Sequence, residues 1–401
     1  MVQVADTIRS PGPGILRTMR IAQLANFVGP ASGGMKTAVD ALGTGYAAAG
    51  VPRLLVLPGP YDDRFRTPAG EVVQVRAPRV GGGYRLIVEP WRVIDALAAF
   101  GPTSVEVNDK TTLLPVTRWA RRNGVSSVLF SHERLDHMVS LRTGLEASAK
   151  VSAALVNRLL VRQFDAIVVT SRFAEAELME PAAAVATPLL RVPLGVDLTT
   201  FTPPGTSAAP VALVAPVAPR HHPGRPLRLV HVGRLSREKS PHLAVATAVA
   251  LHRRGVPVRL DVYGDGPHRA ELERLADGAP VTFHGHVAGR RALAARIGAA
   301  DVALSLCPGE TFGLAVLEAL ACGTPVVTAD TGGASELVDS RSGASAAPRP
   351  EALAAAVLEV AGRDRVTTRA AARARAEEFP WTATVAAMLA VHRRLARLDA
   401  A

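Results

Sequence analysis

Short apolar runs alternate along the chain with longer stretches whose apolar residues recur every three or four positions. The runs predict buried strands, and the longer stretches predict amphipathic helices. Strands and helices that alternate in this way indicate parallel sheets with helices on both faces, so an α/β fold is predicted. The predicted strands are 20–24, 53–57, 71–76, 104–108, 127–130, 166–170, 190–193, 227–232, 258–263, 281–283, 302–306 and 325–329.

One proline-rich segment interrupts this alternation. Residues 203–226 contain seven prolines, and a loop of this length is unexpected inside a compact domain. We therefore predict one domain at 19–203 and another at 227–380, joined by a linker at 204–226, which suits a chain of 401 residues. Residues 1–18 are irregular and contain Pro and Gly, so they are predicted to be an N-terminal extension.

The composition narrows the classes of partner. The net charge is +11, which favours anionic partners such as diphosphates or acidic lipid surfaces, although only four of the 46 basic residues are lysine. There is no zinc-finger spacing or RNP-type aromatic motif, so nucleic acid is not expected as a partner. Two cysteines make no disulfide framework, and no apolar run reaches transmembrane length. A cytoplasmic location is the simplest expectation.

Residues 308–338 are the most informative stretch of the chain. Glu310 precedes a predicted helix at 312–321, and Glu318 is predicted to lie two turns into it, so both carboxylates are expected to face one ligand. Backbone N–H groups at a helix start suit a phosphate. Those groups belong here to Thr311, Phe312, Gly313 and Leu314. The alternative is an ordinary amphipathic helix with two solvated glutamates.

Two features of the first half lie at the ends of predicted strands. Gly33 and Gly34 follow the first strand and precede a predicted helix at 37–48, so the backbone there can approach a bound group closely. The alternative for this pair is a tight turn without a ligand. His132 follows the strand 127–130 at its C-terminal end, where open α/β sheets bind their ligands. His132 is therefore a candidate contact for a donor or an acceptor.

The loop after the first strand of the second half carries two candidate cations. Arg234 and Lys239 can converge on a diphosphate and stabilise the charge that develops on it as a leaving group. Lys239 is one of only four lysines in an arginine-rich chain, which fits a position that needs a compact ammonium group. The alternative for Lys239 is a surface ion pair with Glu238.

The stretch PGETFGLAVLEALACGTPVVTADTGGASELV at 308–338 resembles the E-x7-E signature of retaining glycosyltransferases with the GT-B fold, the large glycosyl transferase 4-like family that includes sucrose and glycogen synthases. The pattern G-R-L-x-x-E-K at 233–239 resembles the second signature of that family. The resemblance implies two Rossmann-like domains with a deep cleft between them. It further implies an acceptor domain at 19–203, a donor domain at 227–380 and a last helix, within 381–401, that returns to the first domain.

The resemblance also implies roles for particular residues. In the family the first glutamate, Glu310 here, contacts the donor sugar, and the second, Glu318, holds the nucleotide ribose. The glycine pair Gly33 and Gly34 lies opposite the donor diphosphate. The segment ending at Val287 grips the nucleobase through backbone groups. Many relatives carry an acidic residue just after that segment, but this chain has Ala-Gly-Arg at 288–290, which leaves the identity of the base open.

Further segments are similar to actinobacterial GDP-mannose-dependent α-mannosyltransferases that act on phosphatidylinositol mannosides. These segments are ANFVGPASGGMKTAVDAL, EVNDKTTL and SHERLD. This closer resemblance implies a hexosyltransferase that moves mannose from GDP-mannose to a hydroxyl of a lipid or glycan acceptor, with retention of the α configuration. The alternatives are a UDP-sugar enzyme with a soluble acceptor, a non-catalytic nucleotide-sugar sensor and a dinucleotide-binding oxidoreductase. The last lacks a G-x-G-x-x-G after its first strand.

Two further expectations concern metal and membrane. The chain contains no D-x-D triplet, so we predict that it needs no metal or cofactor and that Arg234, Lys239 and the helix start neutralise the diphosphate instead. A basic segment is a candidate contact for anionic lipid at the inner face of the plasma membrane, with a solvated helix face as the alternative. That segment includes Arg118, Trp119, Arg121 and Arg122.

Overall fold

The computed structural model describes residues 18–26, 33–80, 84–110, 113–132, 154–205 and 225–396. The predicted N-terminal extension lies outside this range except for residue 18, and most of the predicted linker lies outside it as well. A helix is also predicted from the sequence at 145–164; its residues 145–153 fall outside the described range, and residues 154–160 are helical. The division into domains at 204–226 therefore stays a prediction.

An 8-stranded sheet forms the first half of the structure, in the order β3-β4-β2-β1-β5-β6-β7-β8. Neighbouring strands are parallel except β3 and β4, which form an antiparallel hairpin at one edge. The central strands are apolar and buried on both faces, as expected for a parallel sheet covered by helices. The strands are β1 (Ile21–Leu24), β2 (Arg53–Gly59), β3 (Asp63–Thr67), β4 (Gly70–Arg76), β5 (Ser104–Val107), β6 (Ser126–Ser131), β7 (Ala166–Val169) and β8 (Leu189–Arg191).

A 6-stranded sheet forms the second half, in the order β11-β10-β9-β12-β13-β14, and its paired strands are all parallel. Both sheets have the crossover order of doubly wound α/β folds, in which ligands bind beyond the carboxyl ends of the strands. The strands are β9 (Leu227–Val232), β10 (Val258–Tyr263), β11 (Val281–Gly285), β12 (Val302–Ser305), β13 (Val326–Ala329) and β14 (Gly343–Ala346).

Helices cover both sheets, and we number those of which both ends are described. In the first half they are α1 (Gly34–Ala48), α2 (Pro90–Phe100), α3 (Leu114–Arg122) and α4 (Arg172–Ala183). In the second half they are α5 (Pro241–Arg253), α6 (Arg269–Leu275), α7 (Arg290–Gly298), α8 (Leu314–Ala321), α9 (Pro350–Ala361), α10 (Arg365–Glu377) and α11 (Trp381–Leu395). In the part of the chain that the structure describes, none of the helices is long and apolar enough to cross a membrane.

The last helix, α11, returns to the first sheet. The hydroxyl of Thr384 donates a hydrogen bond of 2.9 Å to the carbonyl of Pro193. His392 lies in the core of the first half, where its Nδ1 is 2.8 Å from the hydroxyl of Ser104 and its Nε2 is 3.2 Å from the carboxylate of Glu106. Through this buried polar network, α11 connects the second half of the structure to the first.

Candidate active site

The N-termini of α1 and α8 lie next to each other where the two halves of the structure meet. A Cβ atom added to Gly34 would lie 3.5 Å from Cδ1 of Leu314. Gly33 and Gly313 are the N-cap residues of α1 and α8, and within the described chain no side chain caps either helix start. The first turns of both helices lack acidic residues. Gly313 has a φ of 101°, a left-handed conformation that glycine adopts without a steric penalty. The two helix starts bring their positive dipole ends to one place, which suits an anion.

Glu310 and Lys239 form an ion pair at this place. The Nζ of Lys239 is 2.8 Å from Oε2 of Glu310, so Lys239 does not pair with Glu238. Burial alone would raise the pKa of Glu310, but the charge and hydrogen bond of Lys239, together with the N–H groups of Phe312 and Thr311, lower it below its ordinary value. Glu310 is therefore ionised at neutral pH.

This arrangement changes the expectation for the start of α8. Two of the four backbone N–H groups predicted for a phosphate, those of Thr311 and Phe312, instead help to stabilise the carboxylate of Glu310 and to lower its pKa. Phe312 is also buried, with its side chain in the apolar core. The helix itself begins at Leu314 rather than at residue 312. The N–H groups of Gly313 and Leu314 are thus the ones that the helix start can offer to an anion.

Arg234 reaches across the cleft to the first half. Its guanidinium lies 5.1 Å from the ring centroid of Tyr84, and its Nη2 donates a hydrogen bond to the Tyr84 hydroxyl. Its Nη1 is 4.0 Å from Glu238, whose carboxylate also accepts a hydrogen bond of 2.5 Å from the hydroxyl of Ser236. Arg234 and Lys239 both lie on the loop after β9. Their side chains face the cleft, where they contact other segments of the chain.

Glu318 lies about one turn into α8, not two as predicted, because the helix begins at Leu314. Its Oε1 is 3.1 Å from Nη2 of Arg290, the residue that begins α7. Burial raises the pKa of Glu318 to about 7, although the charge and hydrogen bond of Arg290 act in the opposite direction. The two glutamates of the motif therefore differ in charge state near neutral pH, because Glu310 has a stronger set of donors.

His132 follows β6 and is held by Asn108, which follows β5. The amide Nδ2 of Asn108 donates to the carbonyl of Leu24, which leaves its Oδ1 to accept from Nε2 of His132 at 2.7 Å. Nδ1 of His132 is then the unprotonated ring nitrogen. Burial lowers the pKa of His132 to about 4; the charge of Lys110 adds to this effect and that of Glu106 opposes it. The imidazole is therefore neutral at pH 7.

Thr311 connects the two halves next to His132. Its hydroxyl donates a hydrogen bond of 2.6 Å to the backbone carbonyl of His132, and its own carbonyl accepts one of 2.6 Å from the hydroxyl of Ser171. Close by, the carboxylate of Glu336 accepts from the backbone N–H of Phe173 at 2.9 Å, at the start of α4. These contacts hold the residue after Glu310 against the carboxyl end of the first sheet.

The segment predicted to grip a nucleobase follows β11. Val287 there is half-buried against the apolar core. His284 contacts Asp261 through its Nε2 at 2.7 Å and stacks on the ring of Tyr263 at 4.7 Å, so it belongs to a local network. Among the residues that the structure describes, no group of three or more His, Cys, Asp or Glu side chains could hold a metal ion.

The basic segment predicted to contact lipid lies on α3. Trp119 is half-buried and packs against the core of the first half, so its ring is not part of an exposed patch. Arg118, Arg121 and Arg122 are exposed. Arg121 donates a hydrogen bond of 3.1 Å to the carbonyl of Arg162, which follows the helical residues 154–160. An arginine-only surface therefore replaces the mixed aromatic and basic patch expected from the sequence.

Two family models match this chain, one in each half. A family model described as Glycosyl transferases group 1 matches residues 226–363, and one described as Glycosyl transferase 4-like domain matches residues 33–195. The GDP-mannose-dependent alpha-(1-6)-phosphatidylinositol dimannoside mannosyltransferase of Mycobacterium tuberculosis is 42% identical over 378 residues, which cover 93% of this chain and 95% of that protein. The chain belongs to the glycosyl transferase 4-like family. It is a glycosyltransferase, and its relatives support a hexosyltransferase.

Other relatives and solved structures support the same fold. A D-inositol 3-phosphate glycosyltransferase from Kineococcus radiotolerans is 33% identical over 261 residues, which cover 59% of this chain and 58% of that protein. The structure of sucrose-phosphate synthase from Thermosynechococcus elongatus has a TM-score of 0.76 at 23% identity and covers 94% of this chain and 99% of that one. Anabaena HepE in complex with UDP and glucose has a TM-score of 0.68 at 17% identity and covers 93% and 98%. The predicted GT-B fold is confirmed.

Three residues of this glycosyltransferase's site were not singled out from the sequence. The ring of Tyr84 contacts the guanidinium of Arg234, Arg290 forms an ion pair with Glu318, and Asn108 is hydrogen-bonded to His132. The only signal for Asn108 was its place at the end of a predicted strand. Tyr84 and Arg290 contact segments that are distant in the sequence, so no local pattern pointed to them.

Proposed function

We propose that this glycosyltransferase transfers mannose from GDP-mannose to a hydroxyl group of a phosphatidylinositol mannoside. The observation that carries the proposal is the 42% identity, over 93% of the chain, to a transferase whose name states that donor and that acceptor class. The site also contains two cations, Arg234 and Lys239, and the N-termini of α1 and α8, near the carboxyl ends of the strands of the second sheet. Such a set fits a nucleoside diphosphate.

In the proposed complex the diphosphate lies beside the adjoining starts of α1 and α8. Arg234 and Lys239 contact its oxygens, and the N–H groups of Gly313 and Leu314 add uncharged donors. Gly33 and Gly34 line the opposite wall, where the absence of side chains lets the phosphates approach the backbone. The base lies against the segment that ends at Val287, and the ribose hydroxyls reach Glu318. Displacement of Arg290 by the ribose gives Glu318 new hydrogen-bond donors.

Glu310 has the properties of a sugar-binding group and not of a nucleophile. Its carboxylate is already engaged by Lys239 and by two backbone N–H groups, so its lone pairs are stabilised and its pKa is lowered. A carboxylate held in this way accepts hydrogen bonds from sugar hydroxyls. We therefore propose attack by the acceptor on the same face that the leaving group departs from, with retention. Positively charged groups beside the diphosphate stabilise the negative charge that it gains as it departs.

Metal independence is part of the same proposal. Two side-chain cations and two helix dipoles supply positive charge where metal-dependent transferases use a divalent ion. The neutral His132 adds a hydrogen-bonding ring nitrogen at the carboxyl end of the first sheet without adding charge. Because Asn108 fixes the orientation of the ring, Nδ1 is the nitrogen available to a hydroxyl of the donor sugar or the acceptor.

A lipid acceptor implies contact with a membrane surface. Arg118, Arg121 and Arg122 are exposed on α3, and two exposed apolar side chains, Leu155 (62%) and Leu159 (59%), lie on the neighbouring helical residues 154–160. Basic and apolar side chains on one side of a protein fit the headgroup region of an anionic bilayer. We propose that the protein is cytoplasmic and that this surface makes peripheral contact with the inner face of the plasma membrane.

The donor is tested by thermal unfolding against a panel of nucleotides and nucleotide sugars in the presence of a chelator. A ligand at 100 times its dissociation constant adds about 2.7 kcal/mol to the free energy of unfolding. We expect GDP and GDP-mannose to raise the melting temperature and UDP-sugars to leave it unchanged. Stabilisation by neither nucleotide would remove the donor site from Arg234, Lys239 and Glu310.

A UDP-sugar donor with a soluble acceptor is the second candidate. The segment Ala-Gly-Arg at 288–290 lacks the acidic residue that many relatives carry after the base-binding segment, so the identity of the base stays open. The structure of HepE, which shares the fold, contains UDP. A shift in melting temperature with UDP-sugars but not with GDP-mannose would favour this candidate.

A further inference from the structure

Tyr84 presents an aromatic ring to the second half of the molecule. The carbonyl of Tyr84 accepts a hydrogen bond of 2.8 Å from the N–H of Val80, and Arg79 and Arg85 form an antiparallel bridge beside it. The side chain of Arg85 donates a hydrogen bond of 2.6 Å to the carbonyl of Ala77. The carbonyl of Tyr84 and the residue that follows it are therefore held by the first half.

The ring of Tyr84 supports the guanidinium of Arg234, which is 150 positions away in the sequence. The guanidinium carbon is 5.1 Å from the ring centroid, and the hydroxyl of Tyr84 accepts a hydrogen bond from Nη2. An arginine that lies over a ring keeps most of its in-plane N–H groups for a second partner. The hydroxyl of Tyr84 accepts a hydrogen bond from one of these N–H groups of Arg234, whereas the ring of Tyr84 uses none of them.

Glu238 competes for the same side chain. Its Oε1 is 4.0 Å from Nη1 of Arg234, and the loop that carries both residues is short. Without the ring of Tyr84, attraction to Glu238 would draw the guanidinium along its own loop and away from the first half. An arginine in that position would present fewer N–H groups to an anion in the cleft.

We propose that Tyr84 is a positioning residue of the donor site, supplied by the first half of the chain. Its ring holds Arg234 over the cleft, and its hydroxyl occupies Nη2 until a diphosphate oxygen replaces it. The inference rests on the proposed function, which assigns Arg234 to the diphosphate. Removal of the ring and removal of the hydroxyl alone therefore have different consequences for nucleotide affinity.

The test is isothermal titration of GDP, with UDP in parallel, into the wild type and a set of variants. Tyr84→Ala removes the ring, and we expect a loss of affinity of about 3- to 10-fold, from the usual range of cation–π contacts. Tyr84→Phe keeps the ring and frees Nη2, so its affinity should equal or exceed that of the wild type. Tyr61→Ala is the matched control, because Tyr61 is 60% exposed on the same half, and it should bind like the wild type.

A double-mutant cycle separates this inference from the proposed function. If Tyr84 acts through Arg234, Tyr84→Ala should cost nothing further in an Arg234→Ala background. Wild-type affinity in Tyr84→Ala, a weaker Tyr84→Phe, or additive losses would overturn the inference while leaving the donor site intact. Wild-type affinity in Arg234→Ala would instead contradict the assignment of Arg234. If Tyr84→Ala does not fold, Tyr84→Leu keeps apolar bulk without a π face and should show the same loss.

Discussion

Glutamine in place of Glu318 should stabilise the protein at alkaline pH. The side chain of Glu318 is 13% exposed, and burial raises its pKa from 4.5 to about 7. The folded state therefore holds this proton more tightly than the unfolded state does. Between pH 4.5 and about 7, unfolding releases a proton, so the free energy of unfolding falls as the pH rises through this window. Above that window the ionised carboxylate lowers the free energy of unfolding by an amount that no longer changes with pH.

The size of the cost follows from the same two pKa values. At about 1.4 kcal/mol per pH unit, their difference corresponds to roughly 3 kcal/mol at pH 8. Glu318→Gln keeps the shape and a hydrogen-bond acceptor for Arg290 but cannot ionise, so it avoids this cost. Since about 1 kcal/mol moves the melting temperature of a domain of 150–250 residues by about 2–4 °C, a rise of roughly 5–10 °C is expected.

The assay is thermal unfolding of the wild type and Glu318→Gln without nucleotide, at pH 5 and at pH 8. The variant should melt higher at pH 8, and the difference should largely disappear at pH 5, where the wild-type carboxyl is protonated. Glu180→Gln is the control, because Glu180 is 81% exposed, and it should change little at either pH. An equal difference at both pH values, or a variant that melts lower at pH 8, would refute the reasoning. The variant should also bind GDP more weakly, since the ribose loses a carboxylate.

Three further outcomes are expected. Glu310→Ala should leave the fold intact and lower the rate of sugar transfer by roughly 100- to 1000-fold, because it removes a charged partner of the donor sugar; near-normal turnover would exclude that role. Lys239→Ala should weaken GDP binding by roughly 10- to 100-fold, since a charged hydrogen bond to phosphate is lost, and unchanged affinity in calorimetry would remove Lys239 from the site. Serine at Arg118, Arg121 and Arg122 together should reduce co-sedimentation with anionic vesicles at low salt, whereas a wild type that ignores such vesicles would contradict the membrane proposal.

Much of the fold follows from local pattern. β9 and β10 begin and end where the apolar runs predict, because a strand buried on both faces is apolar throughout. β3 has the sequence DRFRT and an exposed edge position, so no apolar alternation indicates it. The start of α8 was placed two residues early, because Phe312 continues the apolar pattern although Gly313 interrupts the helical backbone. That error also placed Glu318 about half a turn too far into the helix.

The contacts within the site were harder to predict from the sequence than the fold was. Motifs placed Glu310, Lys239 and Arg234 near one ligand, and the structure brings these side chains to the same cleft. It does not follow from spacing that Lys239 pairs with Glu310, 71 positions away, and not with its neighbour Glu238. The partners Tyr84 and Arg290 likewise depend on how the two halves and their loops pack. Local patterns carry no information about such contacts.

The most direct test of the account is mannosyl transfer in the presence of a chelator. The purified protein is incubated with GDP-mannose and phosphatidylinositol dimannoside in anionic vesicles, and the product is analysed by mass spectrometry and by NMR of its new anomeric proton. We predict one added hexose per acceptor with the α configuration of the donor retained, and transfer roughly 100- to 1000-fold slower from Glu310→Ala. A β-linked product, or transfer that requires an added divalent metal, would contradict it.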